Sequence, residues 1–163
     1  MKNNTPKRPL VSKQAIAMAA KQTAETVINT THHSHLDLNE LTDAIVQHWR
    51  YGMDAYQLAK KLDTYSYYHP DMEMLNALEA MSRNVDALYY NQLASWLNNQ
   101  DINPPFPNGT EVEEGIIDSV DRYGIARYMI RQYNCKKPIA YLLKNFEDVT
   151  WVRGPSDQHS LSH

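Results

Sequence analysis

Three prolines within four residues, Pro104, Pro105 and Pro107, followed by Asn108 and Gly109, divide this chain of 163 residues. Proline lacks an amide hydrogen and clashes with the preceding turn, so no helix continues through "NPPFPNG". An Asn-Gly pair is a turn signal that tolerates positive φ at the glycine. The residue preferences invert across this connector. Upstream, apolar residues recur at spacings of three and four; downstream, short β-branched runs alternate between turn residues.

Upstream, "SKQAIAMAAKQTAETVIN" opens on Ser12 as a plausible N-cap, but its stripe of Ile16, Ala19, Ala20 and Val27 is thin. It reads as a weakly docked helix in a flexible basic leader, residues 1–36. Asp37 or Asn39 caps a second helix with Leu41, Ile45, His48 and Trp49 on one face, and Gly52 ends it. Asp54 caps a third, with Tyr56, Leu58, Leu62 and Tyr65 as contact positions. From Pro70, suited to a first helical turn, a long stripe runs through Met74, Leu78, Met81, Val85, Leu88, Leu93, Trp96 and Leu97, with a split expected at Ser82 to Asn84. Beyond the connector, "TEV", "EEGIIDSVDRY", "IARYMIRQY", "IAYLLKN" and "VTWV" read as five strands, with "FED" as one 3₁₀ turn before the last. The expected fold class is α+β. An acidic helical domain of three to four helices (37–103) and a Pro-rich connector (104–109) precede a five-stranded antiparallel barrel (110–153) and a disordered tail (154–163).

The pattern P-P-x-P-x-G-T-x-V at residues 104–112, then G-I-I, A-R-Y and K-N-F-E-D-V, resembles the SH3-like small barrels, including the Tudor and KOW types. The region from 98 to 152 also resembles small uncharacterised proteins encoded by bacteriophages and other mobile elements. The resemblance implies a fold and brings no catalytic residue. The A-L-Y-D-Y signature and tandem tryptophans of proline-binding SH3 domains are absent.

Charge is segregated along the chain. Residues 1–36 carry five Lys/Arg and one acidic residue, residues 37–106 four against ten, and residues 107–163 seven against eight. Phosphate binding needs cations to displace counterions, so the acidic middle suits a basic protein surface better than a nucleic acid. No apolar run approaches the roughly 20 residues of a membrane helix, and the N-terminus has no apolar h-region. A single Cys135 allows no internal disulfide, which fits a reducing cytoplasm.

"HHSHLD" (His32, His33, His35, Asp37) has metal-binding residue types, yet its local spacing fixes no tetrahedral site and no fourth ligand is evident, so no metal or cofactor is expected. "DAYQLAKKL" has the rhythm of a helix-turn-helix positioning helix, but an acidic, aromatic segment follows where a basic recognition helix should stand. With no phosphate-cradling glycine loop, nucleophile turn or H-E-x-x-H, enzymatic activity is not expected. The reading is a protein-binding adaptor or inhibitor directed at a basic, nucleic-acid-handling or host-defence protein. Tyr65, Tyr67, Tyr68, Asp71, Glu73 and Glu79 are its candidate contacts. The alternative is nucleic-acid binding through Arg122, Arg127, Arg131, Tyr128, Lys136 and Lys137, where aromatic and basic residues interleave. Surplus aromatics make self-association a further expectation.

Overall fold

The structure, a computed structural model, describes residues 3–133 and 141–153. Five α-helices precede five strands: α1 (Lys13–Thr30), α2 (Leu38–His48), α3 (Ala55–Ser66), α4 (Met72–Leu78), α5 (Ala80–Asn99), β1 (Glu111–Val112), β2 (Gly115–Val120), β3 (Arg127–Gln132), β4 (Tyr141–Asn145), a 3₁₀ turn (Phe146–Asp148) and β5 (Trp151–Arg153). Two compact units divide the chain, one from Leu10 to Gln92 and one combining Met1–Pro9 with Leu93–His163. No helix among the described residues is long and apolar enough to cross a membrane. The expected disordered tail at 154–163 lies outside the described residues.

In the helical unit each start is built by a short polar side chain. Ser12 accepts from the Ala15 N–H, Asp37 from Asn39 and Glu40, and Asp54 forms a reciprocal capping box with Gln57. These bonds satisfy amides that have no partner within the helix. Asp71 caps α4 through the Met74 N–H, so Pro70 precedes the helix and does not occupy its first turn. The break in the long stripe falls at Glu79, between α4 and α5, and not at Ser82 to Asn84.

The expectation of a weakly docked first helix is corrected. α1 buries Ala15, Ala19, Ala20, Thr23, Ala24 and Val27, of which Ala19, Ala20, Ala24 and Val27 share one core with Leu41, Ile45, Trp49, Leu58, Leu62, Met74, Leu78, Met81 and Val85. Alanine adds little apolar volume but lets neighbouring helices approach closely, so a stripe thin in side-chain bulk is still fully buried. Buried Thr23 is satisfied: its hydroxyl donates to the Ala19 carbonyl at 2.8 Å and accepts from the Asn84 amide at 3.1 Å.

The other unit contains a five-stranded antiparallel sheet in the order β4-β3-β2-β1-β5. Its pairing is open, with β4 and β5 as the two edges, so the expected closed barrel is corrected to an open sheet. The three-residue 3₁₀ turn joins β4 to β5 without setting them in a hairpin, and among the described residues β5 pairs only with two-residue β1. Alternation along β3 turns Tyr128 and Ile130 inward to a core with Phe106, Val112, Ile117, Ala126, Phe146 and Val149. Gly115 is required where β2 meets β3, because a Cβ there would lie 2.1 Å from the Arg131 carbonyl oxygen.

The connector is fastened to this core. Tyr128 is fully buried and its hydroxyl donates to the Phe106 carbonyl at 2.7 Å while accepting the Phe106 N–H at 2.8 Å. Burial raises the Tyr128 phenol to about 12, against a partial opposing effect of the Phe106 bond. The leader is fastened as well, which corrects its expected flexibility. The Asn3 amide donates to the carbonyls of Phe146 and Val149. Arg8 pairs with Glu147 at 2.5 Å, donates to the Ala126 carbonyl at 3.1 Å and lies over the Trp96 ring.

Tyr128→Phe leaves both polar groups of Phe106 buried without a partner and is expected to destabilise the sheet unit by about 1–3 kcal/mol in urea titrations. A phenol raised in the folded state favours folding below its unfolded value and loses that contribution as pH rises through about 12. The wild-type protein should therefore weaken between about pH 10 and 12, and the variant should lack that component. Arg8→Ala, which strands the Glu147 carboxylate, should cost about 1.5–3 kcal/mol, read from tryptophan fluorescence during unfolding.

Candidate functional site

On the helical unit, Tyr56, Lys60 and Asp63 lie four and three residues apart and share a face of α3. With Asp71, Met72 and Leu75 they line a groove of about 440 Å³. A second groove, of about 360 Å³, shares Tyr56 and Leu75 and adds Asp54, Glu79 and Ser82. Tyr56 therefore stands between the two, 68% exposed. Four carboxylates, Asp54, Asp63, Asp71 and Glu79, rim this strip with Lys60 and with His69, whose ring meets Asp63. Asp54 and Asp71 each cap a helix, which fixes their positions at the edge of the grooves.

The link between α3 and α4 shapes the first groove. Tyr67 and His69 both take left-handed backbone conformations, with φ of 58° and 48°. Such conformations are disfavoured for residues with a Cβ and persist where surroundings hold them. His69 is held by Asp63, whose Oδ1 lies 2.8 Å from its Nδ1.

Beside Asp71, the chain after α1 brings a second cluster. His32 Nε2 lies 2.9 Å from Asp71 Oδ2, and its Nδ1 lies 2.8 Å from Glu73 Oε2. His33 Nε2 lies 3.1 Å from Asp71 Oδ1. The Glu73 bond, more than Coulomb attraction, raises the pKa of His32. Asp71 is lowered first by the Met74 N–H and then by His33, and Glu73 by its bond to His32. Asp37, the carboxylate next to these histidines in sequence, is instead engaged as the α2 cap.

The residues expected to bind a partner stand in several different surroundings on the helical unit. Asp71 and Glu79 line the grooves, while Glu73 is engaged by His32. Tyr65 stacks on His48 with ring centroids 5.6 Å apart. Tyr67 is 75% exposed and caps α3. Tyr68 packs partly buried against the helical core, and burial raises its phenol pKa. Tyr56, Asp54, Asp63 and Met72 were not singled out as a site. The expectation that Tyr56 and Tyr65 join Leu58 and Leu62 as contact positions of α3 is corrected: the leucines are fully buried, whereas the two tyrosines are 68% and 66% exposed because they lie off that inner face.

On the sheet unit, Arg122 and Arg131 are exposed. Arg127 is tied to Asp121 by two bonds of 2.6 and 3.0 Å and folds so closely over Gly124 that a Cβ there would overlap its guanidinium. Tyr128 is a core residue and presents no stacking face. Lys136 and Lys137, with Cys135, lie outside the described residues. No protein family, curated protein or solved structure matches this chain.

His48, with its Nε2 3.0 Å from the Ser66 hydroxyl, is held below the ordinary histidine range by burial first and then by Lys61 and Arg50. A depressed histidine favours the folded state while neutral, so its contribution is complete above about 6.5, the unfolded value, and is lost as pH falls from there through the lower folded value. His48→Gln should reduce the acid-induced loss of stability, measured as the difference between wild-type and variant urea midpoints at pH 7.5 and 5.5.

Proposed function

We propose that the helical unit is a non-enzymatic protein-binding module, an adaptor or inhibitor, that captures a Lys- or Arg-bearing segment of a partner along the strip centred on Tyr56. The observation that carries this reading is one exposed ring between two grooves, rimmed by four carboxylates and one lysine. A tyrosine supplies large contact area at a low cost in side-chain entropy, and such rings are frequent anchors of interfaces. The acidic rim steers a basic partner and rejects acidic ones, contributing to rate and specificity more than to affinity. Proteins that handle nucleic acid carry the complementary basic surfaces.

In the other unit, the meander β1–β4 with one 3₁₀ turn ahead of β5 supports kinship with SH3-like small barrels. Together with the likeness to proteins of mobile elements, this favours an inhibitor of a host nucleic-acid-handling or defence protein in the cytoplasm. Direct nucleic-acid binding is less favoured, because Tyr128 is buried and Arg127 is paired.

The test is affinity capture from a host lysate treated with nuclease, comparing the wild-type chain with three variants. Proteins retained by wild type and by Arg122→Glu/Arg131→Glu, but lost with Tyr56→Ala and with Asp63→Lys/Glu79→Lys, are the expected result. Tyr56→Ala should weaken the purified pair by about 2 kcal/mol, roughly thirtyfold. Retention that vanishes with nuclease, or that only the arginine reversals abolish, sinks the reading in favour of nucleic acid.

A further inference from the structure

We propose that His32, His33 and Asp71 bind a divalent transition-metal ion such as zinc, with Glu73 orienting His32. One donor atom from each of the three residues falls within a span of 4.8 Å. A tetrahedral site with metal–ligand bonds of about 2.0–2.1 Å has donors about 3.3 Å apart. His32 Nε2 lies 2.9 Å from Asp71 Oδ2 and His33 Nε2 lies 3.1 Å from Asp71 Oδ1, so each ring nitrogen already stands against one oxygen of the shared carboxylate.

Glu73 orients the His32 ring: it accepts from the His32 backbone N–H at 3.3 Å and lies 2.8 Å from Nδ1, which turns Nε2 toward Asp71 Oδ2 at 2.9 Å. A carboxylate on the outer nitrogen of a metal-ligating histidine is the usual orienting arrangement.

His33 supplies an independent observation. Its side chain is 12% exposed, and its Nε2 is buried with no aligned hydrogen bond among the described residues. The two imidazoles stack at 4.3 Å, which sets both rings beside the same carboxylate. Asp71 is itself positioned by accepting the Met74 N–H at 2.9 Å. Two imidazoles and a carboxylate suit zinc, cobalt, nickel or copper, whereas magnesium and calcium favour all-oxygen sites. This inference stands apart from the proposed protein-binding role, since its readouts involve no partner.

The test is calorimetric titration of the full chain, free of any added histidine tag, with zinc chloride. Cobalt absorption reports the geometry. One equivalent is expected to bind. His33→Gln and Asp71→Asn, the latter retaining a helix-capping side chain, should each weaken binding at least tenfold, and Glu73→Gln about ten- to a hundredfold. His35→Gln should bind as wild type does. Ring-nitrogen NMR of the wild-type chain should show zinc shifting His32 and His33, which decides the matter even where a variant folds poorly. Absence of uptake up to about 1 mM zinc, shifts confined to other histidines, or unaltered binding by a folded His32→Gln/His33→Gln chain would overturn the assignment.

Discussion

One phenol holds the proline connector in place. Between Ile102 and Gly109, Pro104, Pro105 and Pro107 have no amide hydrogens, so this stretch cannot pair regularly with a neighbouring strand. Phe106 has one of the few N–H groups available, and its side chain is buried in the sheet core. Burying Phe106 without partners for its own backbone would cost as much as its ring contributes. Tyr128 removes that conflict by serving both groups with one hydroxyl, while its ring packs 4.5 Å from Phe146. The connector, β3 and the turn before β5 thus converge on a single side chain.

The helical unit rests on a different device. Its first helix contributes small residues, and the larger side chains come from α2, α3, α4 and the start of α5. Inner faces are consequently exhausted early, and large residues at off-face positions such as Tyr56, Tyr65 and Met72 remain in solvent. The polar strip is a by-product of how the core is filled: capping requires Asp54 and Asp71 at helix starts, and those starts border the grooves.

Much of the fold was legible because its signals are local. Caps at Ser12, Asp37 and Asp54, the inversion at the prolines, and "FED" as a 3₁₀ turn each depend on a few neighbouring residues. Features set by distant partners were not legible. The docking of α1 depends on which helices face its alanines, and the break at Glu79 follows no glycine or proline. Open or closed pairing depends on the path between β4 and β5. The site suffered most: the carboxylate beside His32 and His33 in sequence is Asp37, whereas the one beside them in space is Asp71, some forty residues along. The Arg/Tyr run on β3 misled because composition does not reveal that alternation turns Tyr128 inward or that Asp121 claims Arg127.

The attachment of Asn3 and Arg8 to residues near the opposite end has a consequence for biosynthesis. The contacts of Arg8 with Glu147 and of Asn3 with Phe146 span 139 and 143 positions. During synthesis Asn3 and Arg8 are therefore made well before the surface they attach to, which follows helices α1 to α5 in the sequence. Segments of such high sequence separation assemble late and slowly. Asn3 and Arg8 then lack these partners until the 3₁₀ turn before β5 has been made, an interval in which the segment that carries them is open to proteases and chaperones.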